Sequence, residues 1–115
     1  MDLDKEILAH CEWRRNLKAA ISYQGQLDAA TLGRDDCCSF GKWLHGEGAQ
    51  HYGKNIGFTN LVQKHRDFHK EAGKVASAIN ARHFEEARRM IEPASAFGAA
   101  SLAMDVAGSA LLSMA

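Results

Sequence analysis

The chain has 115 residues, with 14 Lys and Arg against 14 Asp and Glu and a formal net charge of zero. That length suits a single domain over residues 1–115, able to bury a core of modest stability. The balanced charge argues against nucleic-acid binding, which needs a basic face, and against an electrostatic attachment to anionic membrane.

With one proline, Pro93, and few β-branched runs, helix is the expected state throughout. From Asp4 to about Tyr23, Ile7, Leu8, Cys11, Leu17 and Ile21 recur at helical spacing. Asp2 or Asp4 can cap its start, and Gly25 is expected to end it in the left-handed conformation. Residues 26–36 read as a loop with Leu27 and Leu32 turned into the core. A short helix is expected from near Cys38 through Leu44, ended or kinked at Gly46-Glu47-Gly48. Residues 49–57 are ambiguous. Phe58 to about Asn80 is the clearest helix, started by Thr59 or Asn60, with Leu61, Val62, His65, Phe68, His69, Ala72, Val75, Ala76 and Ile79 on one stripe. His83–Ile91 is a shorter helix stopped by Pro93, and Ser95 caps a final helix reaching the C-terminus. That last helix carries a single charge, Asp105, but is built largely of Ala, Ser and Gly, so it reads as packed and not as membrane-spanning. The expected fold is all-α: an antiparallel four-helix-type bundle with an additional short helix and one buried zinc site.

Four residues suggest that zinc site. His65 and His69 sit four apart on the apolar stripe, so both rings share one helix face. His10 lies on the core side of the first helix. Imidazoles in a small core are costly without partners, and a metal ion uses their lone pairs. Cys38 supplies a thiolate at a helix start, where free N–H groups favour it. Nitrogen and sulfur donors in a set of four are what Zn²⁺ prefers. Each residue has a plainer reading: a lone core histidine is usually just packed, and a free cysteine is often simple core. Cys37 competes with Cys38, and spacing alone does not exclude it. Cys11 reads as a core residue, and His45, His51 and His83 as surface residues. Asp35 or Asp36 is placed either to orient a ligand or to cap a helix.

Three stretches in order resemble one family. Cys38-Ser39-Phe40-Gly41-Lys42-Trp43, with Gly46 and Gly48 behind it, resembles the Cys-x-x-Gly-Lys-Trp signature of the chemoreceptor zinc-binding (CZB) domain. His10-Cys11-Glu12-Trp13 resembles its His followed closely by an aromatic, and His65-Arg66-Asp67-Phe68-His69 its His-x-x-x-His. The resemblance implies a helical bundle holding one Zn²⁺ through His10, Cys38, His65 and His69. It selects Cys38 over Cys37, because only Cys38 stands three residues before Gly41. Trp13, Asp36, Gly41 and Trp43 are then the supporting or motif positions. It further implies a cytoplasmic regulatory module of bacterial signal transduction, attached to chemotaxis receptors or diguanylate cyclases or standing alone. Such a module senses zinc, or oxidants such as hypochlorous acid at the ligand cysteine.

The acidic start, Met1-Asp2-Leu3-Asp4-Lys5-Glu6, lacks the basic region of a secretory leader, which agrees with a cytoplasmic location and reduced thiols. Four protein ligands leave no open position for a catalytic water, so no enzyme activity is expected. A di-iron or oxygen-carrying bundle is disfavoured: Glu85, Glu86 and Glu92 cluster away from the histidine stripe, and a Cys ligand does not suit iron-carboxylate chemistry. The other rival is a metal-free or structural-zinc bundle serving as a dimerisation or adaptor module. Small residues of the last helix permit close packing, and its Leu102, Val106, Leu111 and Met114 side is expected to meet a second copy in a homodimer. The sequence carries no receptor signalling hairpin and no cyclase motif, so the chain is expected either to be a free-standing module or to be a piece of a longer protein, its output domain fused or separate.

Overall fold

A computed structural model describes residues 2–114, apart from the side chain of Met114. Among the described residues there are helices and turns and no strand. Helices α1 (Leu3–Cys11) and α2 (Trp13–Tyr23) form the first leg. Asp2 caps α1 by accepting from the Lys5 N–H at 3.2 Å. The single helix expected here bends at Glu12, where ψ falls to −12°. Glu12 still bonds to Leu8 at 3.0 Å, and its carbonyl accepts from Asn16 at 3.1 Å, so the leg is a bent rod. It ends in a left-handed residue, but that residue is Gln24 (φ 52°), not Gly25. Gly25 N–H reaches Ala20 O at 2.9 Å and Gln24 N–H reaches Ile21 O at 3.2 Å, a Schellman closure. The Arg82 guanidinium donates to the Gln24 carbonyl and helps hold the strained residue.

The second leg is a broken helix. It comprises α3 (Ala29–Leu32), capped by Asp28, then α4 (Ser39–His45) and α5 (Glu47–Tyr52). Leu32 is buried and Leu27 half-buried, as expected. Asn80 clamps the main chain of Leu27 by accepting from its N–H at 2.8 Å and donating to its carbonyl at 2.7 Å.

The third leg is α6 (Ile56–Asn80), the spine of the molecule. It starts two residues earlier than expected, because Asn55, and not Thr59 or Asn60, accepts from the Phe58 N–H at 3.2 Å. Its buried stripe holds Leu61, His65, Phe68, His69, Ala72, Val75, Ala76 and Ile79, with Val62 at its edge. The extra short helix is α7 (Phe84–Met90).

The fourth leg is α8 (Ala96–Met114). Ser95 caps its start, accepting from the Gly98 N–H at 3.0 Å. Its window Ala96–Ser113, mean hydropathy 1.4, is long and apolar enough to cross a membrane by length and composition. One stripe of it, Phe97, Met104, Ala107 and Leu111, is buried in the core. Leu111 is therefore not on the outer side expected of it: it falls one turn after Ala107 and two after Met104. Leu102 and Val106 do lie outside, 64% and 60% exposed. The side chain of Met114 lies outside the described residues.

Contacts fix the directions of the legs. The α1 residue Ile7 meets Gly108 of α8, which also lies near Leu61 at the start of α6. Leu27 meets Asn80 at the other end. The Phe68 and Phe97 rings pack at 5.4 Å between them. The chain thus runs up, down, up and down. A Cβ on Gly73 would come within 2.7 Å of the Gly33 Cα, so at that crossing two backbones meet directly.

Candidate metal centre

Three legs deliver four donor atoms to one point inside the bundle. The first leg brings His10, the second Cys38 and the third His65 and His69. One ligand atom from each lies within 4.8 Å of all the others. All three histidines are buried, and Cys38 is half-buried. His10 Nε2 stands 3.2 Å from His69 Nε2 and 3.2 Å from His65 Nε2. Cys38 Sγ stands 3.7, 3.4 and 3.5 Å from the Nε2 atoms of His10, His65 and His69.

The His10–His69 contact is not a hydrogen bond. His10 Nδ1–H donates to the Glu6 carbonyl at 2.7 Å, and His69 Nδ1–H donates to the Leu32 carbonyl at 2.9 Å. A carbonyl only accepts, so each ring carries its proton on Nδ1 and presents a bare lone pair at Nε2. Two lone pairs then face each other at 3.2 Å. A cation between them removes the repulsion. Zinc bound tetrahedrally at about 2.0 Å from nitrogen and 2.3 Å from sulfur has N···N edges of about 3.3 Å and S···N edges of about 3.5 Å. The five edges given above match that tetrahedron to within about 0.2 Å, and the sixth, between His65 and His69, lies within 4.8 Å.

Electrostatics point the same way. Burial, followed by the neighbouring His69, His10 and His45, pushes His65 down to about 2. Burial also lowers His10 and His69. The rings therefore stay neutral near pH 7 and keep their lone pairs. Burial raises the Cys38 thiol, opposed by the Gly41 and Phe40 N–H groups. A divalent cation inverts that preference by replacing the proton.

Local sequence explains how Cys38 reaches the point. It is the N-cap of α4 with extended backbone (φ −81°, ψ 161°), and its Sγ accepts from the Gly41 N–H at 3.2 Å. Position 41 has to be glycine because a Cβ there would stand 1.7 Å from the Asp35 carbonyl oxygen. The chain entering α4 thus passes against the helix it is about to form. Cys37 turns away, its thiol 3.6 Å from Asp36. Trp43 stacks on Phe40 at 6.3 Å, and Phe40 walls the centre edge-on, 5.0 Å from His65 and 5.5 Å from His10. Trp13 lines a cavity that opens on Cys38 and His69.

Asp36 does not orient a ligand. Its carboxylate takes a two-pronged bond from Arg34, 3.0 Å on each arm, at the surface. Asp35 pairs with His45 at 2.9 Å. His51 and His83 are exposed, as expected, while Cys11 is only half-buried, against α8. The groups that do orient the rings are the Glu6 and Leu32 carbonyls. Main-chain acceptors carry no residue signature, and only the four-residue step from Glu6 to His10 along one helix hinted at the first. The Ser39 hydroxyl donates to the Glu6 carboxylate at 3.1 Å, bracing the helix of His10 against that of Cys38. His65 Nδ1 is buried without a partner.

An all-α protein with a buried His₃Cys donor set converging on one point is a zinc-binding protein. The family model of the chemoreceptor zinc-binding domain matches residues 10–76, more than half of the chain, and the chain belongs to that family. The match begins at His10 and contains all four donors. It makes this a zinc-binding signalling domain of a regulatory family. No curated protein and no solved structure matched the chain.

Proposed function

We propose that this chain is a cytoplasmic sensor domain that holds one zinc ion through His10, Cys38, His65 and His69 and reports on zinc or on oxidation of Cys38. The observation that carries this reading is the convergence of four donor atoms within 4.8 Å of one another, with 3.2 Å from His10 to each of the other two histidines and 3.4–3.7 Å from the nitrogens to sulfur. Bound zinc supplies a closed four-ligand cross-link, with no position left for substrate, and the role is regulatory and not catalytic. The Glu6 and Leu32 carbonyls hold two rings in the ligating tautomer, and the Gly41 N–H steadies the thiolate. Cys38 is the movable ligand: it precedes a short helix and is the half-buried member of the set. Its oxidation weakens its hold and frees the segment from Asp36 to Leu44. The output is chemotaxis-receptor or cyclic di-GMP control, through a fused or separate partner.

Metal analysis of the purified chain tests the reading. About one zinc per chain is expected, lost in Cys38→Ser and in His69→Ala. Iron, or a metal-free chain of undiminished stability, would overturn it.

A second role rests on Leu102 and Val106, which leave an apolar strip exposed on α8. It supports a homodimer, or an adaptor contact, through that helix. Sedimentation of wild type against Leu102→Glu/Val106→Glu tests it: a wild-type monomer at high micromolar concentration excludes the homodimer.

A further inference from the structure

We propose that Cys37 is the resolving thiol of the centre, so that a two-electron oxidation at Cys38 ends in a Cys37–Cys38 disulfide. The proposal rests on the reading of Cys38 as the oxidisable ligand.

Three observations support it. Both cysteines line one cavity of about 240 Å³, whose other walls include Trp13, Leu27, Leu32 and His69. The cavity gives a small neutral oxidant a route to Cys38, and Cys37 borders the same space. Next, Cys37 has no part in the metal centre. Its thiol makes a single long contact, 3.6 Å to the Asp36 carboxylate, so nothing in the core has to break for it to turn. Finally, no other thiol competes. Cys11 lines a different cavity, with Arg14 and Asp105 between the first leg and α8.

The bridge would form across a single peptide bond and strain it. Residues 37 and 38 lie in the bend before α4, and Cys38 is extended. Neighbouring Cα atoms across a trans peptide are about 3.8 Å apart, shorter than the usual disulfide span of about 4.4–6.8 Å. The bridge is therefore strained and readily reduced, which makes it a reversible state.

The chemistry balances with a hydroperoxide as oxidant. The Cys38 sulfur attacks the peroxide, an S–O bond forms, the O–O bond breaks, and the sulfur gives up two electrons. The departing oxygen takes a proton from solvent and leaves as water or an alcohol. The Cys37 sulfur then attacks the Cys38 sulfur, the S–S bond forms, and the S–O bond breaks. The departing hydroxide takes the Cys37 proton and leaves as water. The Cys38 thiolate, the Cys37 thiol, one hydroperoxide and one proton from solvent give one disulfide, one alcohol or water, and one water. The donor set falls from four to three.

The test treats the zinc-loaded full chain with hydrogen peroxide. Zinc release is followed with a zinc-responsive dye, and the tryptic peptide of residues 35–42 is weighed. The wild-type peptide is expected about 2 Da lighter, with its mass and zinc binding restored by dithiothreitol. Cys37→Ser is expected to release zinc as well, but to accumulate Cys38 sulfinic acid, about 32 Da heavier and not restored by dithiothreitol. Sulfinic acid in wild type to the same extent, or a bridge from Cys38 to Cys11 or to a second chain, would overturn the proposal and leave the oxidisable-ligand reading standing. An unmodified Cys38 with zinc retained would overturn both.

Discussion

Gly41→Ala is the most demanding test of how the centre is built. The new Cβ would stand 1.7 Å from the Asp35 carbonyl oxygen and 2.8 Å from its carbon. Both neighbours are main chain, so no side chain can swing aside. Ordinary contact begins near 3.4 Å, and the start of α4 must back away by about half that distance. Cys38 is the N-cap of the same helix and is tied to Gly41 by the 3.2 Å N–H···S contact, so it moves too. Metal–ligand distances tolerate only about 0.2 Å, so the thiolate leaves the set. Zinc affinity should fall at least ~100-fold, about 2.7 kcal/mol. The metal-free chain should lose about 1–3 kcal/mol through overpacking. Competition with a chromophoric chelator at pH 7 measures the first, and urea unfolding in excess chelator the second. Gly25→Ala is the control: its Cβ meets nothing nearer than 3.9 Å and its φ is not positive. Zinc affinity of Gly41→Ala within threefold of wild type would refute the account of how Cys38 is placed.

Three further outcomes are expected. Zinc at 100 times its dissociation constant should stabilise the chain by about 2.7 kcal/mol, roughly 10 °C in midpoint over a chelated sample; superimposable melting curves would show that the centre is not coupled to folding. Asn80→Ala removes both bonds to the Leu27 main chain and should cost about 1–3 kcal/mol in urea unfolding, and a loss under ~0.5 kcal/mol would contradict the clamp. The metal-free chain should weaken in acid. His65 is held at about 2 when folded, against an ordinary histidine value of 6.5, so below pH 6.5 the unfolded chain takes up a proton that the folded chain refuses. Stability then falls as pH drops, by up to ~1.4 kcal/mol per unit for this ring, with His10 and His69 adding in the same direction. Equal urea midpoints at pH 7 and pH 5 would contradict it.

The four donors were legible because helical phase alone puts His10, His65 and His69 on the inner face. The choice of Cys38 came from its place before Gly41-Lys42-Trp43, and the reason for that place is a main-chain crossing that spacing does not reveal. Interruptions of one residue stayed hidden. Nothing in Cys11-Glu12-Trp13 breaks a helix by propensity, and the bend there is a tertiary feature. Gln24 outdid Gly25 at the helix end, where Arg82 meets its carbonyl. Asp36 has the place of an orienting residue in the sequence, but its carboxylate is taken by Arg34, two residues before it, at the surface. Leu111 is expected outward with Leu102 and Val106, although its step from Ala107 and Met104 already puts it on their stripe.

The distances along the chain between the donors bear on how the bundle assembles. Cys38 lies 28 residues after His10 and 27 before His65. Zinc therefore closes two long loops in what is otherwise a sequence of local helices. Closing each costs about 3 kcal/mol of chain entropy on a (3/2)RT ln n scale. A disulfide would place that cost on the unfolded chain, whereas a dissociable ion meets it each time it binds. Every affinity measured for zinc is thus partly a measurement of loop closure. When the ion leaves, α1, α6 and α8 have no reason to unwind. What changes is how firmly the legs are held together, a difference that far-UV circular dichroism will hardly register and that amide exchange at the ends of the legs will.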